Sequence, residues 1–252
     1  TPMSMLEVKN LMIFFENAVA LNDFSMEVEE KQVIGIIGSN SAGKTTLMNA
    51  LSGLIIDMRI KEKRKGGERI TVYGQISYKG EDITETSPSN RVKKGIVLCR
   101  ERHPIFPESN VLENLKIAGY LQKRQSTQEM LQFVFNLFPA LVHLKRRKAG
   151  FMSGGEQQML AVGMALVARP ELLLLDEPLL GLSPMMQTLL VNAIKVLGSE
   201  SQITVLISEQ FARPVLPMID FGYIIENGML TLTGTGKELM DNPEVKSAYF
   251  GI

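Results

Sequence analysis

Disulfides, net charge and long apolar runs are all missing from this chain of 252 residues, and each absence removes a class of function. The one cysteine, Cys99, excludes a disulfide framework and fits a reducing cytosol. Set in the apolar run Ile96, Val97, Leu98, Cys99, it reads as a small buried hydrophobe rather than a reactive thiol. Lysine plus arginine number 27, as do aspartate plus glutamate, so no net field argues for nucleic acid or an acidic substrate. No apolar run approaches the length of a membrane span, and the start Thr1-Pro2-Met3-Ser4-Met5 lacks the basic segment and apolar core of a signal peptide. The expectation is a protein that serves a membrane, if it serves one, from outside the bilayer. Its length suits one large α/β domain or two small ones and allows an ample core.

What is present centres on Gly38, Ser39, Asn40, Ser41, Ala42, Gly43, Lys44, Thr45 and Thr46, directly after the apolar run Val33 to Ile37. That is the pattern of a phosphate-binding P-loop: a strand, a glycine-permitted turn with inward N–H groups, and a helix whose positive N-terminus completes an anion site. Gly38 and Gly43 supply conformations closed to other residues. Lys44 reaches β- and γ-phosphates as a point charge, and the Thr45 hydroxyl is placed to ligate Mg²⁺.

Before the loop, Leu6 to Ile13 and Phe24 to Val28 alternate imperfectly and predict two antiparallel strands. Phe14 and Phe15 between them are either core or a stacking platform, and position favours core. After the loop, Leu47, Met48, Ala50, Leu51 and Leu54 recur at helical spacing, with Gly53 near the helix end. The basic stretch from Asp57 to Arg69 around Gly66-Gly67 then reads as a solvated hairpin tip, since Glu62 and Glu68 dilute its charge and no aromatic interrupts it. Ile96 to Cys99 predicts a buried strand, Arg100 to Phe106 a polar loop, and Val111 to Leu121 and Met130 to Leu144 two helices of an insert.

Ser153-Gly154-Gly155-Glu156 opens another helix, and a second helix N-terminus is a second place for an anion. Leu172 to Leu175 form a fully apolar strand ending in Asp176-Glu177-Pro178. At the carboxyl end of a parallel strand, where ligands bind, Asp176 can hold Mg²⁺ and Glu177 can polarise an attacking water as general base. Asp220 to Gly234 reads as a hairpin about Asn227-Gly228, and Pro243 to Tyr249 as a short terminal helix.

Gly38 to Thr46, Ser153 to Glu156 and Leu172 to Glu177, in this order, resemble the ATP-binding subunits of ABC transporters over nearly the whole chain. The resemblance implies an α/β P-loop NTPase fold: a mostly parallel core sheet, an N-terminal antiparallel β subdomain, and a helical subdomain inserted at about 104–165 of a single ATPase domain. It implies ATP and Mg²⁺ as ligands and two ATPase chains associated head to tail. Lys44, Thr45, Asp176 and Glu177 would act on one chain's own ATP, and Ser153, Gly154 and Gly155 would act on the partner's. It further implies transmembrane permease subunits, a solute-binding protein served through them, a place at the cytoplasmic face of the membrane, and no nucleic-acid partner. Met152 to Leu160, Leu172 to Pro184, Ser208-Glu209-Gln210 and Ser247 to Gly251 look like the branch that imports branched-chain, hydrophobic amino acids. Importers of urea and amides share much of this wording and form the alternative, followed by soluble ABC ATPases of nucleic acid or ribosomes. The latter usually carry two fused units or a long coiled coil, whereas this chain has one P-loop and no sustained heptads.

Four positions draw their meaning from the resemblance alone. Phe15 aligns with the family's adenine-stacking aromatic. Gln210 stands where most members place a γ-phosphate-contacting histidine, and its amide donates a hydrogen bond without titrating. Glu101 stands where the family has a glutamine that touches Mg²⁺ and couples to the membrane subunits, and a carboxylate there can bind the ion while adding charge beside the phosphates. Leu180-Gly181-Leu182-Ser183 lacks the aspartate that many relatives carry.

Overall fold

A computed structural model describes residues 4–67, 69–101 and 104–250. Expectations placed on Thr1 to Met3, Glu68, Arg102, His103 and Gly251 lie outside the described residues.

The chain opens with β1 (Leu6–Phe15) and β2 (Ala18–Val28), an antiparallel ribbon as the alternation predicts. Next come β3 (Val33–Ile37), the P-loop, and two helices, α1 (Lys44–Ser52) and α2 (Leu54–Arg64). Gly53 sits between the helices in the left-handed conformation, φ 83°, which ends one and starts the other at a new angle. Here the sequence reading needs correction, because most of the basic stretch is helix rather than hairpin tip. Its Arg, Lys and Glu residues are good helix formers, Asp57 in the first turn and Lys61, Lys63 and Arg64 in the last complement the macrodipole, and Ile55 and Ile56 anchor it. Lys65, Gly66 and Arg69 beyond the helix are exposed, as expected.

β4 (Ile70–Tyr78) and β5 (Glu81–Asp82) complete a four-stranded antiparallel sheet in the order β2-β1-β4-β5. After α3 (Pro88–Lys93) and β6 (Ile96–Cys99), the described chain is helical up to the next strand: α4 (Val111–Ala118), α5 (Arg124–Leu137), α6 (Pro139–His143), a 3₁₀ turn at Ala149–Phe151, and α7 (Gly154–Val167). β7 (Leu172–Asp176), α8 (Pro184–Glu200), β8 (Thr204–Glu209), α9 (Ala212–Val215) and the hairpin β9 (Phe221–Glu226) with β10 (Met229–Thr235) follow. Short α10 (Gly236–Asp241) and α11 (Pro243–Val245) lead into a wide turn over Lys246–Phe250.

The second sheet runs β10-β9-β3-β8-β7-β6, parallel from β9 to β6, with β10 antiparallel at the edge. Both faces are covered, which explains the unbroken apolar runs. Leu172 and Leu174 of β7, Ile34 and Ile36 of β3 and Leu206 of β8 share a core with Leu47, Met48 and Leu51 of α1 and with the antiparallel sheet. Leu173, Leu175, Val205 and Ile207 face the other way, into a core with Leu160 and Leu166 of α7 and Leu190 and Ile194 of α8. Each such leucine contributes about 2 kcal/mol of burial. The carboxyl ends of β6, β7, β8 and β3 therefore lie side by side on one edge, held by core on both faces. Cys99 is buried there, and burial pushes its thiol up to about 12.

Candidate active site

Every residue of β3 is buried, so the strand delivers the loop at a fixed point, where the Gly38 N–H donates to the Glu209 carbonyl at 3.2 Å. Gly43 precedes α1 with φ 108°, and a Cβ there would lie 2.6 Å from the Ala20 carbonyl oxygen, so both backbone and space demand glycine. Gly38 is constrained differently from the sequence reading. It is not among the residues of positive φ, and a side chain on it would instead run into the Ile225 carbonyl. The loop is backed by β2 and by the β9–β10 turn, where the Gly228 N–H donates to the Ala42 carbonyl at 2.9 Å.

Lys44 begins α1, only 3% exposed. Its Nζ donates to the Gly38 carbonyl at 2.8 Å and the Ser39 carbonyl at 2.9 Å, and pairs with Glu177 Oε1 at 2.9 Å. Asp176 ends β7, paired in register with Ser208 of β8. Its Oδ1 accepts from the Ser208 hydroxyl at 2.7 Å and, at a long 3.4 Å, from Thr45 Oγ1. Burial raises the Asp176 carboxyl above its ordinary value, the Ser208 and Thr45 hydroxyls oppose that, and the charges of Glu177 and Glu101 add to it. Glu177 lies in the left-handed region at φ 47°, a conformation that costs a non-glycine residue about 1 kcal/mol. Its N–H is held by the Ser208 carbonyl at 3.0 Å and hydroxyl at 3.3 Å. The turn brings its carboxylate back onto Lys44.

The structure thus brings together Lys44, Thr45, Asp176 and Glu177, with Glu101 near enough for its charge to be felt. Gln210 follows β8 on the same edge and is half-buried. A cleft of about 140 Å³ over the loop is lined by Ala20, Ser41, Gly43, Lys44, Thr45, Thr46 and Glu177. Larger clefts exist, one of about 430 Å³ lined by residues including Met130, Arg169 and Glu171, but that one lies at the opposite, amino end of β7. The smaller cleft is the candidate site, because ligands of parallel sheets bind at carboxyl ends.

Ser153 and Gly154 do not line this cleft. Ser153 caps α7 in a reciprocal box, accepting from the Glu156 N–H at 3.4 Å while Glu156 accepts from the Ser153 N–H at 2.8 Å. Both Ser153 and Gly154 are exposed. Gly155 is buried, and a Cβ on it would stand 2.6 Å from Met186 Cε at the start of α8. Phe15, half-buried, sits at the end of β1 opposite Ala18 and Ile70. Ser208 and Glu209, which stitch β8 to the loop after β7, carry no role in the sequence reading. Two polar residues closing the apolar run Val205 to Ile207 are the signal that marks them.

Comparisons with known proteins give the family. The family model described as ABC transporter matches residues 21–180. The chain is 36% identical to the high-affinity branched-chain amino acid transport ATP-binding protein BraG of Pseudomonas aeruginosa, over 98% of this chain and 100% of that one. It is 30% identical to the probable branched-chain amino acid transport ATP-binding protein LivF of Archaeoglobus fulgidus, over 98% and 99%. Among solved structures, the ADP conformation of MJ1267, an ATP-binding cassette of an ABC transporter, superposes with a TM-score of 0.79 at 28% identity, covering 99% of this chain and 100% of that one. With its phosphate cradle and paired acids on one sheet edge, the chain belongs to the ABC transporter family as a nucleotide-binding, ATP-hydrolysing subunit.

Proposed function

We propose that this chain is the ATPase subunit of an importer for branched-chain or other hydrophobic amino acids, and that it works as one half of a head-to-tail pair. The half-built cleft carries the pairing. Its volume of about 140 Å³ falls below the roughly 300–1,000 Å³ of sites that enclose a small molecule, which supports a second wall supplied by a partner. The exposed Ser153-Gly154 turn, opening a helix and absent from the lining of its own chain's cleft, is the surface suited to provide that wall in the partner's site. The names of the similar transport proteins support the substrate class.

In this reading Lys44 and the loop N–H groups hold the phosphates, and Glu177 orients and deprotonates the attacking water. Gln210 donates to the γ-phosphate, and Phe15 stacks on the adenine. Thr45 and Asp176 would hold Mg²⁺, with Glu101 beside them, and the ion supplies charge neutralisation when bound. The chain suits such an ion, because Asp176 is a buried carboxylate with two further acids near it. Among the described residues no three His, Cys, Asp or Glu gather as a metal cage, so any ion there would take further ligands from phosphates and water. No described helix is long and apolar enough to cross a membrane. Permease subunits would place the chain at the cytoplasmic face. The helices between β6 and β7, about 104–165, would pass the motion to those subunits.

Glu177→Gln tests the reading. The variant should accumulate as an ATP-bound pair on size exclusion while the ATP-free protein elutes as a single chain. Full turnover by the variant would remove Glu177 as the base, and an ATP-bound single chain would remove the pairing. ATP-dependent uptake of leucine, set against urea, separates the two importer readings.

A further inference from the structure

A carboxylic acid is an odd end for a buried strand. Thr204 to Glu209 are buried throughout, Glu209 is 1% exposed, and an unpaired carboxyl in that position would be strongly destabilising. The acid is paired, and its partner is informative. Glu209 Oε1 accepts from the Leu179 N–H at 2.7 Å, thirty residues away in sequence and two beyond Glu177. Glu177 itself is tied to Ser208 by its N–H, at 3.0 Å to the carbonyl. The segment Glu177 to Leu179 is therefore sewn to the segment Ser208 to Glu209 on both sides of Pro178. Further along, Gln187 Nε2 donates to the Leu179 and Leu182 carbonyls at 3.4 and 3.3 Å, while the tip at Leu180 and Gly181 is exposed.

We propose that Glu209 is a positioning residue, a latch that pins the root of the Leu179–Ser183 loop to the end of β8 and so holds Glu177 in its left-handed turn against Lys44. It is not a catalytic residue in this assignment, because Lys44 pairs with Glu177 and the Glu209 oxygen is taken by the loop. Burial pushes the Glu209 carboxyl up to about 8, the Leu179 and Gln210 N–H groups and Lys44 opposing and the Glu177 charge adding to it, and what the Leu179 N–H requires of the latch is an acceptor oxygen. The same residue precedes Gln210, so one strand end sets both the loop after β7 and the amide proposed to face the γ-phosphate. The inference rests on Glu177 acting at the water.

The test pairs hydrogen exchange with steady-state turnover in Glu209→Ala and Glu209→Gln. The alanine variant should exchange about tenfold faster at the amides of residues 179–183, with P-loop peptides unchanged, because one buried bond is lost. Its kcat should fall about tenfold with KM for ATP within about twofold. Glutamine keeps the acceptor and should restore both readings. Where the alanine variant does not fold, Glu209→Asp, a methylene short of Leu179, should shift both in the same sense. Unchanged exchange in these variants overturns the latch, faster exchange at full kcat overturns its hold on Glu177, and a glutamine variant as impaired as alanine assigns the effect to charge. Exchange needs no ATP, so a chain in which no form hydrolyses ATP overturns the ATPase reading separately from the latch.

Discussion

The two ends of α1 each hold a buried cation, and they solve opposite problems. At the C-terminal end the Arg91 guanidinium, fully buried, donates five hydrogen bonds to carbonyls: Ala50 and Leu51 of the helix, and Ile83, Thr84 and Thr86 of the facing loop. Its charge agrees with the negative end of the helix, and all five donors are used. At the N-terminal end Lys44 adds a positive charge where the helix is already positive. Two carbonyls and the Glu177 carboxylate offset it. A cation set against the dipole marks a place for anions, whereas one aligned with the dipole and saturated by backbone is a structural rivet.

Arg91 should dominate stability. Arg91→Met leaves several buried carbonyls unsatisfied and should lower the free energy of unfolding by about 3–5 kcal/mol in urea titration. A loss below about 1 kcal/mol would break the comparison from the structural side. Lys44→Ala should behave in the opposite way, with turnover down about 100-fold or more, equivalent to about 2.7 kcal/mol, and unfolding changed by about 1 kcal/mol or less. A variant that melts early would make Lys44 a rivet too.

Graded rather than all-or-none is the effect of pH through Glu209. A carboxyl whose folded value is raised holds its proton more tightly in the native state, so its contribution is fully present below the unfolded value and is lost as pH rises towards the folded value of about 8. Wild type should lose stability relative to Glu209→Gln by up to about 1.4 kcal/mol per pH unit between roughly pH 5 and 8. Parallel stability curves for the two proteins would show that Lys44 and the loop amides already neutralise the site.

The parts legible in the sequence are those written in local spacing. Gly38 to Thr46 and Asp176-Glu177 declare themselves because the turn, the helix start and the strand end are contiguous, and β3 and β7 are legible as apolar runs covered on both faces. α2 escaped because its exposed residues carry helix propensity without apolar period, and Gly66-Gly67 suggested a turn where the helix merely ends. Arg91, Ser208 and Glu209 escaped for another reason. Their partners lie at Ala50, Asp176 and Leu179, and only the pairing of β7 with β8 and the packing of α3 beside α1 bring them into reach.

Gly154 and Gly155, adjacent in the chain, carry different information. Gly155 is dictated from within, because Met186 leaves no room for a methyl group. It would be required even in a chain that had lost any partner. A methyl group on Gly154 meets nothing within 4 Å in its own chain, and its φ is not positive. Nothing within its own chain demands glycine there, so under the head-to-tail pairing proposed above any constraint on residue 154, unlike that on its neighbour, would come from a second copy.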